Sequence, residues 1–243
     1  MRTWRLIDTG FNNGYYNMAV DEAIAIAVRE GKVPSTLRFY TWNPPCISIG
    51  YFQKPDEALN GCIVRRITGG RAVFHGNDLS YSVVSGTGNT IFPKNINGTY
   101  STIEKALTAG LRHLGINPDP VEGKKTRKDS AIEYHKTRLC FNTVIRHEIT
   151  VHGKKLIGSA QRRWSDVFLQ HGSILVNGSI KENGPASISL KELGAFSNEA
   201  NLLVASLSLG FTKAFGIQFM TEDLSDYELE LSEKLIVEKY SRL

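Results

Sequence analysis

Residues 17–31, NMAVDEAIAIAVREG, repeat Met18, Ile24, Ile26 and Val28 among alanines, carry acids early and stop at Gly31. That pattern predicts a buried amphipathic helix. The period then shortens to two. TLRFYTW (36–42) alternates and is rich in aromatic and β-branched residues, which predicts a strand ended by Asn43-Pro44-Pro45. CISIGYF (46–52) and CIVRRI (62–67) predict two more strands, and AVFH (72–75) and LSYSVVSG (79–86) return from a Thr68-Gly69-Gly70 turn. TYSTIEKALTAGLRHLG (99–115) reads as a helix opened by Thr99 or Ser101 and closed by Gly115. HEITV (147–151), a His152-Gly153-Lys154 turn and KLIGSAQ (155–161) predict a hairpin, with VFLQHGSILV (167–176) as the next strand. The tail predicts two helices, a shorter or broken one between 188 and 215 and ELELSEKLIVEKYSRL (228–243). The stretch 117–138 is polar and patternless, so it reads as an active-site loop or a disordered one. Runs of strands flanked by helices imply an α+β fold with largely antiparallel or mixed sheets.

At 243 residues, with 41% hydrophobic and 22% charged residues, the chain has an ordinary globular composition. No apolar run is long enough to span a membrane, and MRTWRLIDTG lacks the features of a signal peptide. Cys46, Cys62 and Cys140 are few and unevenly spaced, which suggests a reducing cytoplasm without a disulfide framework. The net charge of +5 raises the question of nucleic acid. The basic residues are spread along the chain, however, and the densest run, GKKTRK (123–128), has no interleaved aromatics. An acidic protein partner accounts for the same charge.

The chemistry concentrates first in RRITGGRAVFH (65–75). Arg65 points with Ile63 and Ile67, and Arg66 with Val64, so one guanidinium is forced toward the buried face. Buried guanidinium groups need an acceptor. Gly69 and Gly70 let the backbone approach a ligand closely, and His75 follows on the returning strand. The alternative is a plain hairpin turn with a surface arginine pair. No Walker motif and no glycine fingerprint opening a helix occurs. Cys140, flanked by Lys136 and Arg138, is either a thiolate favoured by its basic neighbours or a buried structural cysteine. Lys155 in GKKLIGSAQ is either a solvated turn lysine, as Lys154 is expected to be, or a point charge beside apolar surface. Gly158, Ser159 and Ala160 are small enough for a sheet packed against a ligand, and Gln170, His171, Gly172 and Ser173 are placed to reach the same pocket. The six histidines have no metal-ligand spacing, so no metal is expected.

RRITGGRAVFH, GKKLIGSAQ and LQHGSILV, in this order, resemble the lipoate–protein ligase A, octanoyltransferase and biotin ligase superfamily. The opening WRLIDTG, NMAVDEAI and LRFYTWNPPCISIGYFQ is similar to the same proteins, so the resemblance covers roughly residues 3–180. Arg71 in GGRAVFH, LSYSVV after it and Cys140-Phe141 most resemble the octanoyltransferases of the LipM type; the ATP-using ligases usually have a third glycine in place of Arg71. The resemblance implies one catalytic domain over 1–243, with its core at about 3–180 and a helical part at about 185–243. It also implies an acyltransferase that moves octanoyl from acyl carrier protein to a lysine of a lipoyl domain, either that of the glycine cleavage H protein or of a dehydrogenase E2. Cys140 would accept the acyl group as a thioester, and Lys155 would stand near the reacting carbonyl. Arg65, Arg66, Thr68, Gly69, Gly70, His75, Gly158, Ser159, Ala160 and His171 would line the substrate pocket.

A thioester passed to a cysteine is nearly isoenergetic and thioester to amide runs downhill, so no cofactor is expected. ATP and Mg²⁺ enter only if the chain is instead a lipoate–protein ligase working through an acyl-adenylate. Only residues 185–243 follow Gly184, which leaves little room for the accessory domain many such ligases carry. Transfer between two lipoyl proteins, and a non-catalytic binding module, are the other readings. Two departures from the family pattern bear on specificity. Arg146-His147-Glu148 stands where the family has a Tyr-Glu pair, and His75 is followed by Gly76, Asn77 and Asp78 instead of directly by an acid.

Overall fold

The structure, a computed structural model, describes residues 2–55, 60–120, 148–178, 186–194 and 200–242. In chain order these form β1 (Arg2–Asn12), α1 (Gly14–Arg29), β2 (Thr36–Trp42), β3 (Cys46–Ile49), β4 (Cys62–Arg65), β5 (Val73–His75), β6 (Asp78–Gly86) and α2 (Ile96–His113). Then come β7 (Ile149–Val151), β8 (Lys154–Arg163), β9 (Val167–Leu175), α3 (Ala200–Phe215), β10 (Ile217–Thr221), α4 (Asp226–Leu235) and a π-helical turn (Ile236–Tyr240). The fold is α+β. A seven-stranded sheet in the order β10-β1-β2-β6-β9-β8-β7 is parallel across β10, β1 and β2 and antiparallel beyond. A three-stranded sheet, β4-β3-β5, is separate from it.

Strand β2 shows how one alternating sequence serves two cores. Leu37 and Phe39 join α2 and α3 residues such as Ile103, Leu107, Leu207 and Phe211 on one face. Tyr40 and Trp42 join Met18, Val20 and Ile24 of α1 on the other. Because both faces are covered, all of these side chains are buried. The small sheet stands over the second face, and the space between the two sheets becomes the site.

The helix starts lie upstream of the predicted ones. Asn13, not a residue near 17, caps α1 by accepting from Tyr16 N at 2.9 Å, so Asp21 falls in mid-helix instead of in the first turn. Asn95 caps α2 through Gly98 N at 2.7 Å, ahead of the expected Thr99 or Ser101. Residues 188–194 form turns, not a helix, and the last helix begins at a capping box between Ser225 and Glu228. Strands β1 and β10 escape the alternation rule. In β1 the neighbours Trp4 and Arg5 are both buried, because Arg5 is bonded to Glu228 of α4 (Nη1–Oε2 2.9 Å) and to Thr36.

One expectation is overturned. Cys46 and Cys62 are joined as a disulfide with Cα atoms 4.6 Å apart. The parallel register of β3 and β4 sets these residues directly opposite each other, a juxtaposition their spacing in sequence does not reveal. Among the described residues, no helix is long and apolar enough to cross a membrane.

Candidate active site

A pocket opens between the two sheets. Its wall includes Met18 from α1, Tyr40 and Trp42 from β2, and Ser48, Val73 and His75 from the small sheet. Arg66, Gly70 and Arg71 come from the β4–β5 loop, and Glu148, Gly158, Ser159, Ala160, His171, Gly172 and Ser173 from β7–β9 and the residue before them. Small residues open it. A Cβ on Gly172 would stand 2.6 Å from Gly158 O and 2.6 Å from the Tyr81 ring, so only glycine lets β9 lie this close to β8 and Tyr81.

The two arginines act on the loop itself. Arg66, buried, donates to Ser48 O (2.8 Å) and Ser48 Oγ (3.1 Å), to Gly69 O (3.0 and 3.2 Å) and to Arg71 O (2.7 Å). Arg65, half-buried, donates to the carbonyls of Gly50, Tyr51 and Gln53 at 2.6–3.2 Å. A planar guanidinium meets several carbonyls from one rigid fork, a geometry that a point-like ammonium does not reproduce. The loop thus acquires a fixed shape and presses on β3: a Cβ on Gly50 would lie 2.0 Å from Gly70 O. Gly70 adopts φ 97°, in the left-handed region.

Two buried histidine networks stiffen the walls. His75 Nδ1 lies 2.8 Å from Asp78 Oδ2 and Nε2 lies 2.8 Å from Ser48 Oγ, while its ring stacks on Trp42 at 3.8 Å. Since Arg66 donates to Ser48 Oγ, the serine proton points to Nε2, and Nδ1–H donates to Asp78. Asp78 also accepts from Ser80, Ser173 and Gly76 N. Burial alone would raise its pKa, but His75 and these donors outweigh it and hold the carboxyl below its ordinary value. The acid that the sequence appeared to lack after His75 is therefore supplied three residues later.

On the opposite wall His171 lies between Asp21 (Nδ1–Oδ2 2.8 Å) and Thr68 (Nε2–Oγ1 2.7 Å). Asp21 also accepts from Arg38 Nη1 (2.8 Å) and Tyr40 OH (3.0 Å), and Arg38 is wholly buried. Burial pushes the Asp21 pKa up, but the His171 hydrogen bond and the Arg38 charge outweigh it and leave it lowered. Burial lowers the His171 pKa, against the pull of Asp21. His171 is thus a neutral imidazole that accepts from Thr68 and donates to Asp21. Many polar groups of the wall are committed to one another, and Met18, Tyr40, Trp42, Val73 and Ala160 make much of the lining carbon.

Lys155 is fully buried and forms an ion pair with Glu148, itself nearly buried. Glu148 lines the pocket, so the ammonium stands directly behind the pocket wall. Lys154, by contrast, is exposed.

Of the predicted residues, Arg66, Gly70, His75, Gly158, Ser159, Ala160 and His171 line the pocket. Arg65, Thr68 and Gly69 are outside the lining and support it through hydrogen bonds, and Lys155 reaches it through Glu148. Gln170 turns away to Tyr81 and Gln161. Cys140, together with most of the 117–138 stretch, lies outside the described residues. Sequence reasoning missed Asp21, Tyr40, Trp42, Ser48, Asp78 and Glu148. The available signal was a serine in an otherwise apolar strand; Asp21 read as an ordinary acid near the helix start.

The family model for the lipoyl protein ligase A/B catalytic domain matches residues 13–197. Octanoyltransferase LipM of Moorella thermoacetica is 40% identical over 253 residues, covering 93% of this chain and 91% of that protein. Octanoyltransferase LipM of Clostridioides difficile is 37% identical, covering 99% and 97%. Among solved structures, a crystal structure of lipoate-protein ligase A bound with ATP superposes with a TM-score of 0.82 at 25% identity, covering 100% of this chain and 97% of that one. The fold, the glycine-bearing arginine loop against the pocket and these likenesses agree: the chain belongs to the family of lipoyl protein ligase A/B catalytic domains.

Proposed function

We propose that this protein is an octanoyltransferase that moves octanoyl from acyl carrier protein to the lysine of a lipoyl domain by way of a thioester on Cys140. The observation that carries the reading is the pocket with a carbon-lined interior and a buried Lys155–Glu148 pair behind its wall. An alkyl chain suits such an apolar lining, and an ammonium stabilises the anions formed when a thioester is attacked. The names borne by relatives at 33–40% identity support the same chemistry. Arg71, buried in the pocket wall, supports it as well, because the ATP-using members of the family usually have glycine at that place.

In this mechanism the Cys140 thiolate takes octanoyl from the carrier thioester and expels the carrier thiolate; the acceptor amine then attacks the Cys140 thioester, giving an amide and releasing the Cys140 thiolate with the proton that the amine sheds. Neither step needs ATP, and we place both in the cytoplasm, although the Cys46–Cys62 disulfide removes the cysteine argument for it. The net charge of +5 suits acidic carrier and acceptor proteins, the acceptor being the glycine cleavage H protein or a dehydrogenase E2. The ATP-dependent ligase is the second reading, favoured by the likeness to the ATP-bound ligase structure.

Intact-protein mass spectrometry after mixing with octanoyl acyl carrier protein, without ATP, separates the two. An octanoyl adduct on wild type but not on Cys140→Ala, discharged by an apo lipoyl domain, supports the transferase. Modification of the lipoyl domain only when octanoate and ATP are supplied refutes it.

A further inference from the structure

Strand β8 leads out of the pocket. Its residues Lys155–Gly158 are buried and Ser159–Arg163 half-buried, so exposure grows along the strand. Side chains two apart share a face of a strand. The face that brings Gly158 and Ala160 to the pocket therefore carries Arg162 about 7 Å further on, with Trp164 just past the strand's end. The Arg162 guanidinium lies over the rings of Tyr51 (5.1 Å) and Trp164 (5.5 Å) and donates to Ile67 O at 3.4 Å; among the described residues it has no carboxylate partner. Tyr51 and Phe52 pack edge to face at 4.9 Å, and Phe52 is 86% exposed. Tyr51 N donates to Thr68 O, so the aromatic pair is tied to the arginine loop beside the pocket. A single exposed aromatic means little, but tyrosine, tryptophan and arginine grouped on one face are the residue types that dominate binding between proteins.

We infer that Tyr51, Phe52, Arg162 and Trp164 form the surface on which the acceptor domain docks while its lysine enters the pocket. The inference rests on the proposed modification of a lipoyl-domain lysine, and it holds for transferase and ligase alike. Two observations choose the occupant. The Arg162 charge, like the net charge of +5, calls for a partner that presents carboxylates. Reach then selects the acceptor over the carrier. A lysine side chain spans only about 6 Å, comparable with the step from Ala160 to Arg162, so the protein that bears it must sit against this end of β8. An acyl group delivered on a long flexible prosthetic arm sets no such demand on its carrier. Two rings already hold the guanidinium in place, so pairing with a partner carboxylate costs it little side-chain freedom. Phe52, left in water by the free enzyme, supplies the apolar anchor.

Wild type, Phe52→Ala, Arg162→Gln and, as a control on the π-helical turn, Val237→Ala are compared in the modification of apo glycine cleavage H protein and of an apo E2 lipoyl domain, followed by mass spectrometry across acceptor concentrations. The expected result is an acceptor KM raised about tenfold or more in Phe52→Ala and Arg162→Gln, with kcat and the carrier KM within about twofold of wild type and Val237→Ala unchanged. Added salt should raise the acceptor KM of wild type and move that of Arg162→Gln far less. A merely structural role for Arg162, through the Ile67 carbonyl, would lower kcat instead. In a second arm, which needs no turnover, photoreactive p-benzoylphenylalanine replaces Phe52 and is irradiated with each acceptor and with octanoyl acyl carrier protein; a crosslink to the acceptors and not to the carrier is expected. A crosslink confined to the carrier, or an unchanged acceptor KM in both folded variants, overturns the inference. If wild type modifies lipoyl domains only with octanoate and ATP, the transferase falls, and the acceptor KM and the crosslink still decide the docking surface.

Discussion

Replacing Arg66 by lysine keeps the charge and removes the fork. Among the described residues the guanidinium donates one hydrogen bond to the Ser48 hydroxyl and four to the carbonyls of Ser48, Gly69 and Arg71. Hydrogen bonds from a charged group contribute about 1.5–3 kcal/mol each, and they do not add fully when one side chain makes them all. A lysine ammonium places its three donors at one point and cannot span acceptors spread along Ser48, Gly69 and Arg71. Buried carbonyls of the loop are then left without their donor, for a net loss of about 3 kcal/mol. For a chain of this size that corresponds to a fall of roughly 6–12 °C in melting temperature. The loop bearing Gly70 and Arg71 is part of the pocket wall, so a displacement on the order of 1 Å should cost about 10²-fold in kcat/KM. Scanning calorimetry and octanoylation of an apo lipoyl domain, followed by mass spectrometry, measure both quantities. If Arg66→Lys melts within about 2 °C of wild type and transfers octanoyl within a few-fold of its rate, the arginine does not shape the loop and its place in the site must be argued differently.

Asp21→Asn leaves Arg38 buried without its carboxylate and should destabilise by about 3–5 kcal/mol, read as a shifted urea midpoint at unchanged slope. The pH dependence of stability follows from His171 and Asp21 with one sign. His171, whose pKa lies below 6.5 when folded, is neutral in the fold, so the unfolded chain binds its proton first and stability falls as pH drops below about 6.5. Asp21 and Asp78, lowered from 3.8, contribute stability above that value that is lost as pH falls through their folded values. Urea midpoints should therefore decline from pH 7 to 5 and flatten in His171→Gln; a midpoint rising over that range in wild type would show a charged His171. Gly172→Ala forces a Cβ within 2.6 Å of Gly158 O and should cost about 1–3 kcal/mol, or prevent folding, as measured by soluble yield and thermal melting.

Strands flanking a buried helix were legible because the hydrophobic period was uninterrupted. TLRFYTW is strand at both predicted ends, and VFLQHGSIL differs by one residue. β1 was not, because a buried Arg5 reads as solvent-facing until Glu228 is known to meet it. The loop residues of the site were legible because Gly-Gly beside two arginines is chemically unusual. The residues that complete it were not, because Asp21, Ser48 and Asp78 draw their meaning from histidines up to 150 positions away. Glu148 appeared only as a departure from a pattern, although it supplies the carboxylate for Lys155.

The partnership of Arg5 with Glu228 spans 223 positions, and β1 lies in the sheet between β2 and β10. During synthesis β1 is made long before the α4 and β10 segments that complete its surroundings. Until then β1 has one open edge and an arginine facing a cavity with no counter-charge. Non-local pairing of this kind slows folding, and an unpaired strand edge held open for that time is a site where nascent chains pair wrongly. The arrival of α4 and β10 thus gives β1 both its second edge and the counter-charge of Arg5.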